Sequence, residues 1–215
     1  MSHPGGRAKL THRGAATRAR IVAAAADLVY QHGAAGTSLD DVMAASGTSK
    51  SQLYHYFANK RALVEEVARQ QTQRIMQSQR PELDALDTMD ALHAWRDKIL
   101  ALQTATSYVG GCPLGSLANE VADTGEATRD VLQRCFTEWE GPLLAGLTAM
   151  KDRGDLRSDA EPAALTEAVM AAVQGGLLLN KTHRTGRPLA RALDMAVNHV
   201  ASFTVNDQPA PGRSR

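Results

Sequence analysis

The sequence predicts an all-α protein, and three observations on its 215 residues carry that prediction. Aromatic residues make up only 4% of the chain, while alanine-rich stretches recur, as at 21–26 and 163–173. Alanine costs least in a helix, whereas strands prefer β-branched and aromatic residues. Apolar residues also recur with helical spacing along most of the chain, and no segment is a convincing strand candidate.

The charge of the chain is unevenly distributed. Its net charge is +1, yet residues 1–80 hold eleven Lys and Arg against five Asp and Glu, and residues 81–215 hold thirteen against eighteen. Such asymmetry indicates that one half meets a polyanion and the other does not. A basic N-terminal tail that inflates the first count is the alternative that charge alone leaves open.

The composition is that of an ordinary soluble protein, with 43% hydrophobic and 22% charged residues. The N-terminus is polar and basic without an apolar segment behind it, and no run approaches the roughly 18 apolar residues of a membrane helix. Cys112 and Cys135 form neither a ligand cluster nor a disulfide framework. We therefore expect a cytoplasmic protein with no cofactor, no metal site and no membrane partner.

The first two helices follow an N-terminal arm over 1–15 that we expect to be disordered. Thr17 is the expected N-cap of the first helix, which ends at Gly33. The second helix begins at Ser38, and Asp41 stands three residues later, where a capping box needs its acidic partner.

A break at 46–48 separates the second helix from a third. Gly47 tolerates the positive φ that a tight turn requires. Ser49 and Gln52 then form a second capping box, and the third helix ends by about Ala58. Three short helices with this break between the last two predict a helix-turn-helix.

The third helix has two distinct faces. At about 100° per residue, Leu53 and Phe57 point inward. Ser51 and His55 point outward, flanked by Gln52 and Tyr54, and Lys50 adds positive charge at the start of the helix. That face is polar, lacks acidic residues and carries groups that hydrogen-bond base edges or phosphates. A fourth helix begins near Asn59 and runs toward Arg80.

Residues 36–67 (GTSLDDVMAASGTSKSQLYHYFANKRALVEEV) resemble the DNA-binding signature of the TetR/AcrR regulators. The matching features are Thr37-Ser38, Gly47, Ser49-Lys50, Leu53-Tyr54, Tyr56-Phe57, Asn59-Lys60 and Leu63, with Thr17, Ile21, Ala24-Ala25 and Leu28 in the first helix. The DNA-binding set that the resemblance implies is Thr37, Ser38, Ser49, Lys50, Ser51, Gln52, Tyr54, His55, Tyr56 and Lys60. The resemblance implies that the major groove is faced by Lys50, Ser51, Gln52 and His55. It implies that phosphates are bound by Tyr54, Tyr56, Lys60, Thr37 and Ser38.

Three positions depart from the common pattern of that family. Met43 stands where a small alanine is usual, Thr48 replaces a common valine after the turn, and Tyr56 occupies a position often held by histidine. The first two would alter the helix crossing slightly, and none removes a contact group.

The rest of the chain predicts longer helices, over 84–107, 113–122, 126–153, 160–182 and 188–204. Gly, Pro and Asp punctuate the breaks, with Asp159 as the expected cap of the fourth of these. The predicted organisation is a helix-turn-helix domain over 16–68, joined by a linking helix to an effector-binding and dimerisation bundle over 69–205. A disordered tail follows over 206–215.

The bundle is expected to hold a small-molecule pocket, since such pockets form between helices and are mostly apolar. The ligand-binding set is Trp95, Leu102, Tyr108, Leu117, Asn119, Cys135, Phe136, Trp139, Gln174 and Leu177. Asn119, Gln174 and Asn180 are the expected polar anchors, and plain core is the alternative for each apolar member. Residues 110–120 resemble a segment of TetR-type repressors that answer small aromatic compounds, which implies an effector of that class.

The last two helices are the expected dimer surface. Gly175 and Gly176 interrupt a long apolar helix, where each glycine costs up to about 1 kcal/mol relative to alanine, and a close helix approach would offset that cost. The resemblance likewise implies dimerisation through this pair. A two-fold dimer matches a palindromic operator, so we expect a ligand-released repressor on double-stranded DNA.

Two other functions remain open at this point. One is a helical small-molecule-binding protein, or a degenerate enzyme, whose helix-turn-helix no longer reads DNA. The other is a nucleoid-type binder without an effector, which salt-sensitive and sequence-indifferent binding would mark. Catalysis has little support, because Ser49, Ser51 and His55 crowd one helix without a buried acid to orient a base. We predict no catalytic residue.

Overall fold

The computed structural model describes residues 11–205, and within that range the chain forms nine α-helices with no β-structure beyond one bridge between Leu156 and Thr204. The helices are α1 (His12–His32), α2 (Leu39–Ser46), α3 (Lys50–Tyr56), α4 (Lys60–Ser78), α5 (Met89–Ala105), α6 (Pro113–Val121), α7 (Glu126–Arg153), α8 (Pro162–His183) and α9 (Arg187–Ala201). The all-α prediction is confirmed. Residues 1–10 of the expected arm and the expected tail over 206–215 lie outside the described residues.

Helix α1 begins six residues earlier than the sequence suggests. Its N-cap is Thr11, whose hydroxyl accepts from the Gly14 N–H at 3.2 Å. Thr17, the expected cap, lies inside the helix, and its hydroxyl donates to the Arg13 carbonyl. Since Thr11 supplies the cap first, residues 12–15 of the expected disordered arm are helical.

Two boundaries in the second half also differ from expectation. A 3₁₀ turn (Glu82–Ala85) precedes α5, which starts at Met89 because the Thr88 hydroxyl accepts from the Ala91 N–H. The expected cap Asp159 instead pairs with Arg157 at 3.0 Å, and α8 starts three residues later, at Pro162.

The described residues group into two compact units. One comprises the chain up to Gln71 together with Ser116–Gln133, and the other comprises Thr72–Gly115 together with the chain from Arg134 onward. This differs from the predicted division at 68/69, because Ser116–Gln133 groups with the first unit. The core of that unit includes Ile21, Ala25, Leu53, Leu63 and Val67, all at most 2% exposed.

Helices α8 and α9 of the second unit pack closely along each other. A Cβ on Gly176 would lie 2.7 Å from the Leu189 Cα, so this glycine permits the close approach. Asn180 is fully buried, and its Oδ1 accepts from the Leu189 N–H at 3.0 Å. That oxygen satisfies a backbone donor in the first turn of α9 and so has a structural role, while the Asn180 Nδ2 is buried without a hydrogen-bond partner among the described residues.

By length and composition alone, α8 is long and apolar enough to cross a membrane, and 39% of its most apolar window is buried. A core helix of a folded bundle passes the same test, and Thr166, Glu167 and Gln174 interrupt the apolar residues of α8. The exposed part of the helix is rich in small and apolar residues, namely Ala163, Ala164, Ala168, Ala171, Gly175, Leu178 and Leu179.

The second unit is organised around one buried carboxamide. The Trp95 and Trp139 indoles both donate to Gln79 Oε1, at 2.9 and 3.2 Å. Gln79 is 5% exposed and both tryptophans are at most 2% exposed. One acceptor therefore satisfies the only polar group of each indole, and it ties the end of α4 to α5 and α7.

We predict that Gln79→Leu lowers the free energy of unfolding by about 2–4 kcal/mol, because it leaves two buried N–H donors without an acceptor. Urea unfolding at fixed protein concentration measures the change. The matched control is Gln77→Leu, at an exposed position in the last turn of α4, two residues before Gln79, which should change the free energy by less than about 0.5 kcal/mol. Equal effects of the two substitutions would contradict the assignment.

Candidate nucleic-acid interface

Helices α2 and α3 form the predicted helix-turn-helix. The Ser38–Asp41 pair makes a complete capping box at the start of α2, and the Ser49–Gln52 pair makes another at the start of α3. Between them Gly47 lies in the left-handed region at φ 60° and ψ 38°. All three local predictions are confirmed.

The turn itself is secured by two contacts that sequence analysis did not assign. The Ser46 and Thr48 hydroxyls lie 2.7 Å apart, and both residues are buried. Arg20 Nε of α1 donates to the Ser46 carbonyl at 2.8 Å, which satisfies an orphan carbonyl at the end of α2. Thr48, noted above as a departure from the family pattern, thus adds a hydrogen bond to the turn.

The two faces of α3 are those that the helical wheel predicts. Leu53 is fully buried and Phe57, just after the helix, is 3% exposed. Residues 50–52 and 54–55 are exposed, while Tyr56 is half-buried with its ring 4.8 Å from that of His55. The exposed face is therefore polar and free of acidic side chains.

The end of α3 is locked to α1 and α4 through Arg18. Its guanidinium lies 5.4 Å from the centre of the Phe57 ring and 2.8 Å from the Glu66 carboxylate. Arg69 approaches the same carboxylate at 3.1 Å. Burial acts to raise the pKa of Glu66, but hydrogen bonds and charge from Arg18 and Arg69 outweigh it and hold the pKa below its ordinary value.

The start of α2 does not offer the hydroxyl groups that the resemblance implies. The Thr37 side chain is 4% exposed, and its hydroxyl donates to the Gly33 carbonyl at 2.8 Å. The Ser38 hydroxyl and N–H both donate to Asp41 Oδ2, and these hydrogen bonds lower the pKa of Asp41. Thr37 is therefore corrected from a phosphate contact to a structural residue, and the Ser38 hydroxyl is committed to capping.

The Gln52 carboxamide has one end in the capping box of α3 and the other end exposed. Its Oε1 accepts from the Ser49 N–H at 2.9 Å, so the carbonyl end of the carboxamide is used by the capping box. The amide end stays available to donate to a base-edge or phosphate acceptor. The cap and the base contact that the sequence predicts therefore share one side chain.

Two lysines lie at helix starts near the exposed face of α3, Lys50 in α3 itself and Lys60 in α4. Asn59 Oδ1 accepts from the Ala62 N–H at 2.9 Å and caps that helix, which places the half-buried Lys60 in its first turn. Lys50 occupies the corresponding place in α3. Exposed backbone donors and ammonium groups at helix starts suit phosphate oxygens.

The residues predicted to bind an effector do not share one environment. Trp95 and Trp139 are core residues joined at Gln79, and Leu117, Cys135 and Leu177 are also buried. Leu102, Tyr108, Phe136 and Gln174 are half-buried in the second unit. Asn119 is exposed on α6, which contradicts its assignment as a pocket anchor.

Two of the half-buried residues have packing partners within the second unit. Tyr108 lies against Gly186, where an added Cβ would be 3.0 Å from its ring. The Gln174 Oε1 lies 2.5 Å from the position of a Cβ on Gly115. Burial raises the pKa of the neighbouring Cys112 thiol, and hydrogen bonds from the Gly115 backbone and the Gln174 side chain act against that rise, so the Gln174 amide is engaged within the protein.

Comparison with known proteins places this arrangement among regulators. Residues 21–67 match the family model described as bacterial regulatory proteins, tetR family, and residues 88–196 match the tetracyclin repressor-like C-terminal domain. The chain is 27% identical over 175 residues to the helix-turn-helix transcriptional regulator LmrA of Bacillus subtilis (strain 168), covering 80% of this chain and 90% of that protein. It is 22% identical over 189 residues to the transcriptional repressor DhaR of Mycobacterium sp. (strain GP1), covering 88% and 94%.

Solved structures agree on the fold. A TetR-family transcriptional regulator from Cytophaga hutchinsonii superposes with a TM-score of 0.75 at 21% identity, over 93% of this chain and all of that one.

The Arg18–Glu66 pair generates a pH-dependent prediction. The pKa of Glu66 is lower in the folded protein than its ordinary value of 4.5, so its ionised carboxylate stabilises the fold at any pH above 4.5. That stabilisation is lost as the pH falls through the pKa of the folded state. Arg18→Met should lower the free energy of unfolding at about pH 7 by about 1 kcal/mol, and the deficit should shrink as the pH falls toward about 3.

Urea unfolding across that range measures the deficit. Arg61→Met is the matched control, because Arg61 pairs with Glu65 at 3.8 Å and its side chain is 58% exposed; it should change little. A deficit for Arg18→Met that is independent of pH would contradict the ionic part of the interpretation.

Proposed function

The chain belongs to the TetR family of bacterial transcriptional regulators, and from that membership we propose that it is a homodimeric repressor released from a palindromic operator by a small apolar or aromatic effector. DNA-binding regulation is common to the family. The operator symmetry, the dimer, the effector and the sign of regulation are parts of the proposal. A cytoplasmic location goes with them, since the operator is chromosomal DNA.

The observation that carries the proposal is the exposed face of α3. It is polar, lacks acidic groups, and belongs to a helix fixed at its start by a capping box and at its end by Phe57 and Arg18. A helix of this kind enters the major groove with its side chains toward base edges. Ser51, His55 and the Gln52 amide are the proposed base readers.

Phosphate contacts are proposed to flank the base readers. Tyr54 is 46% exposed, Tyr56 is half-buried beside His55, and Lys50 and Lys60 lie in the first turns of their helices. Such contacts position a protein on the duplex and contribute affinity without sequence information.

Base reading and phosphate binding are separable by a pair of substitutions. Selection from duplexes with a randomised site first yields the operator of the wild-type protein. His55→Ala should then lose about 1–3 kcal/mol of discrimination at one position of that consensus. Lys60→Ala, the control, should weaken binding to operator and random duplexes alike and lower the salt slope by about 1. An unchanged consensus for a Gln52→Ala, His55→Ala double variant would refute base reading by this face.

The proposed dimer surface is the outward side of α8 and α9. Leu178, Leu179 and Met195 are 57%, 46% and 67% exposed, which is unusual for large apolar side chains on helices of a folded bundle. Gly175 lies on the same side, and an added Cβ there would meet no atom within 4 Å. The two glycines therefore lie on different sides of α8: Gly176 faces α9 of its own chain, and Gly175 faces outward.

Dimerisation sets the spacing of the two α3 helices, which must lie about 34–36 Å apart to enter successive major grooves. Gly175→Glu would bury an unpaired carboxylate between protomers, so we expect a monomer that stays helical and loses operator affinity steeply. Sedimentation velocity and operator titration measure both. Ala101→Glu, on the exposed side of α5, is the matched control. A dimeric Gly175→Glu variant with wild-type affinity would place the interface elsewhere.

The proposed effector site lies in the second unit, around the half-buried Leu102, Phe136 and Gln174. Its chemical class rests on the resemblance of residues 110–120 to a segment of repressors that answer small aromatic compounds. The assignment as a repressor is supported by DhaR, which is described as one.

A further inference from the structure

A carboxylate from α6 lies in the connection between α1 and α2. Glu120 Oε2 accepts from the Ala34 N–H at 2.7 Å and from the Ala35 N–H at 3.2 Å. Successive backbone amides that converge in this way form a concave site suited to an anion. The site is filled from within the first unit, since Glu120 and residues 33–37 both belong to it.

Gly33 provides the space for this carboxylate. Its φ of 77° lies in the left-handed region, and an added Cβ would lie 2.8 Å from Glu120 Oε2 and 2.9 Å from Oε1. A side chain at this position would therefore strain the backbone and displace the carboxylate. The glycine that ends α1 is required both by the turn and by the contact from α6.

The same connection leads directly into α2. The Gly33 carbonyl accepts from the Thr37 hydroxyl at 2.8 Å, and Thr37 is followed by Ser38, the N-cap of α2. Hydrogen bonds on both sides of the Gly33–Ala34 peptide thus connect the Glu120 carboxylate to Thr37, the residue that precedes the N-cap of α2. Whatever fixes residues 33–35 also fixes the start of the helix-turn-helix.

An open cavity of about 330 Å³ lies beside Glu120 and is lined in part by Ala34, Val64 and Val121. Lys60 and Arg61 of α4 also line it. The hydrogen bonds from the Ala34 and Ala35 amides to Glu120 therefore join the connection to α6 at the edge of this cavity.

We propose that Glu120 is a positioning residue for DNA recognition: its carboxylate, held by the Ala34 and Ala35 amides, fixes the α1–α2 connection, and with it α2 and α3, relative to α6. It makes no contact with DNA itself. Its loss should leave phosphate binding intact and reduce the preference for operator, because base contacts depend on the orientation of α3 far more than phosphate contacts do.

The first measurement is amide hydrogen exchange on the full-length protein without DNA. In Glu120→Ala the Ala34 and Ala35 amides should exchange at least about tenfold faster, since two charge-assisted hydrogen bonds are removed. Asp123→Asn is the matched control, because it removes one negative charge from an exposed position three residues later. It should leave both exchange rates unchanged.

The second measurement is the ratio of affinities for the selected operator and for random duplexes. Glu120→Ala should lower this ratio by about tenfold and retain random-sequence affinity, whereas Asp123→Asn should keep the wild-type ratio. Glu120→Gln keeps an acceptor oxygen and should recover most of the ratio. This rescue separates positioning from a charge effect, and it serves as the test should the alanine variant fold poorly.

Three results would overturn the proposal: wild-type exchange at Ala34 and Ala35 in Glu120→Ala, an undiminished affinity ratio in that variant, or an equal loss in Asp123→Asn. A glutamine variant as impaired as the alanine variant would also overturn it, because the acceptor would then not be what matters. Should wild-type protein itself fail to prefer any duplex, the DNA-recognition proposal fails, while the exchange measurement still reports on the contact.

Discussion

A helix of seven residues cannot hold its own shape in water, and the placement of α3 is the constraint on which the DNA-binding unit depends. Isolated helices shorter than about 12–15 residues are marginal, so α3 takes its stability from its surroundings. Its start is closed by a capping box, its inward face is buried through Leu53, and Phe57 just beyond its end is covered by Arg18. The orientation of the polar face of α3 is set by the burial of its apolar face and by the contacts at its two ends.

Each polar group that this packing buries needs a partner, and several residues with functional chemistry serve as those partners. Gln79 accepts from two indoles, Asn180 accepts from the first turn of α9, and Thr37 closes the connection after α1. An unsatisfied buried donor costs about 1–3 kcal/mol. A residue of this kind and a ligand anchor both place a hydrogen-bonding side chain at a buried position of an apolar helix. The two roles therefore look alike in a sequence.

Helix α8 shows how one apolar segment serves two surfaces. Gly176 allows α9 to approach within the chain, while Gly175, Leu178 and Leu179 face outward. A helix that is apolar on all sides suits burial from both directions. The same character gives α8 the length and composition of a membrane span, and in a TetR-family regulator a second protomer is the proposed cover for that exposed side.

The sequence by itself determined the all-α class, the helix-turn-helix, its two capping boxes, the left-handed turn at Gly47 and the two faces of α3. These features depend on residues within about four positions of each other, where propensity, capping and periodicity act. The tertiary structure alone decided that Thr37 is buried, that Asn119 is exposed, that Trp95 and Trp139 share Gln79, and that Glu120 reaches the Ala34 and Ala35 amides. Each of these depends on which distant segment packs against the residue, here across 16 to 86 positions of chain, and no local pattern encodes that choice.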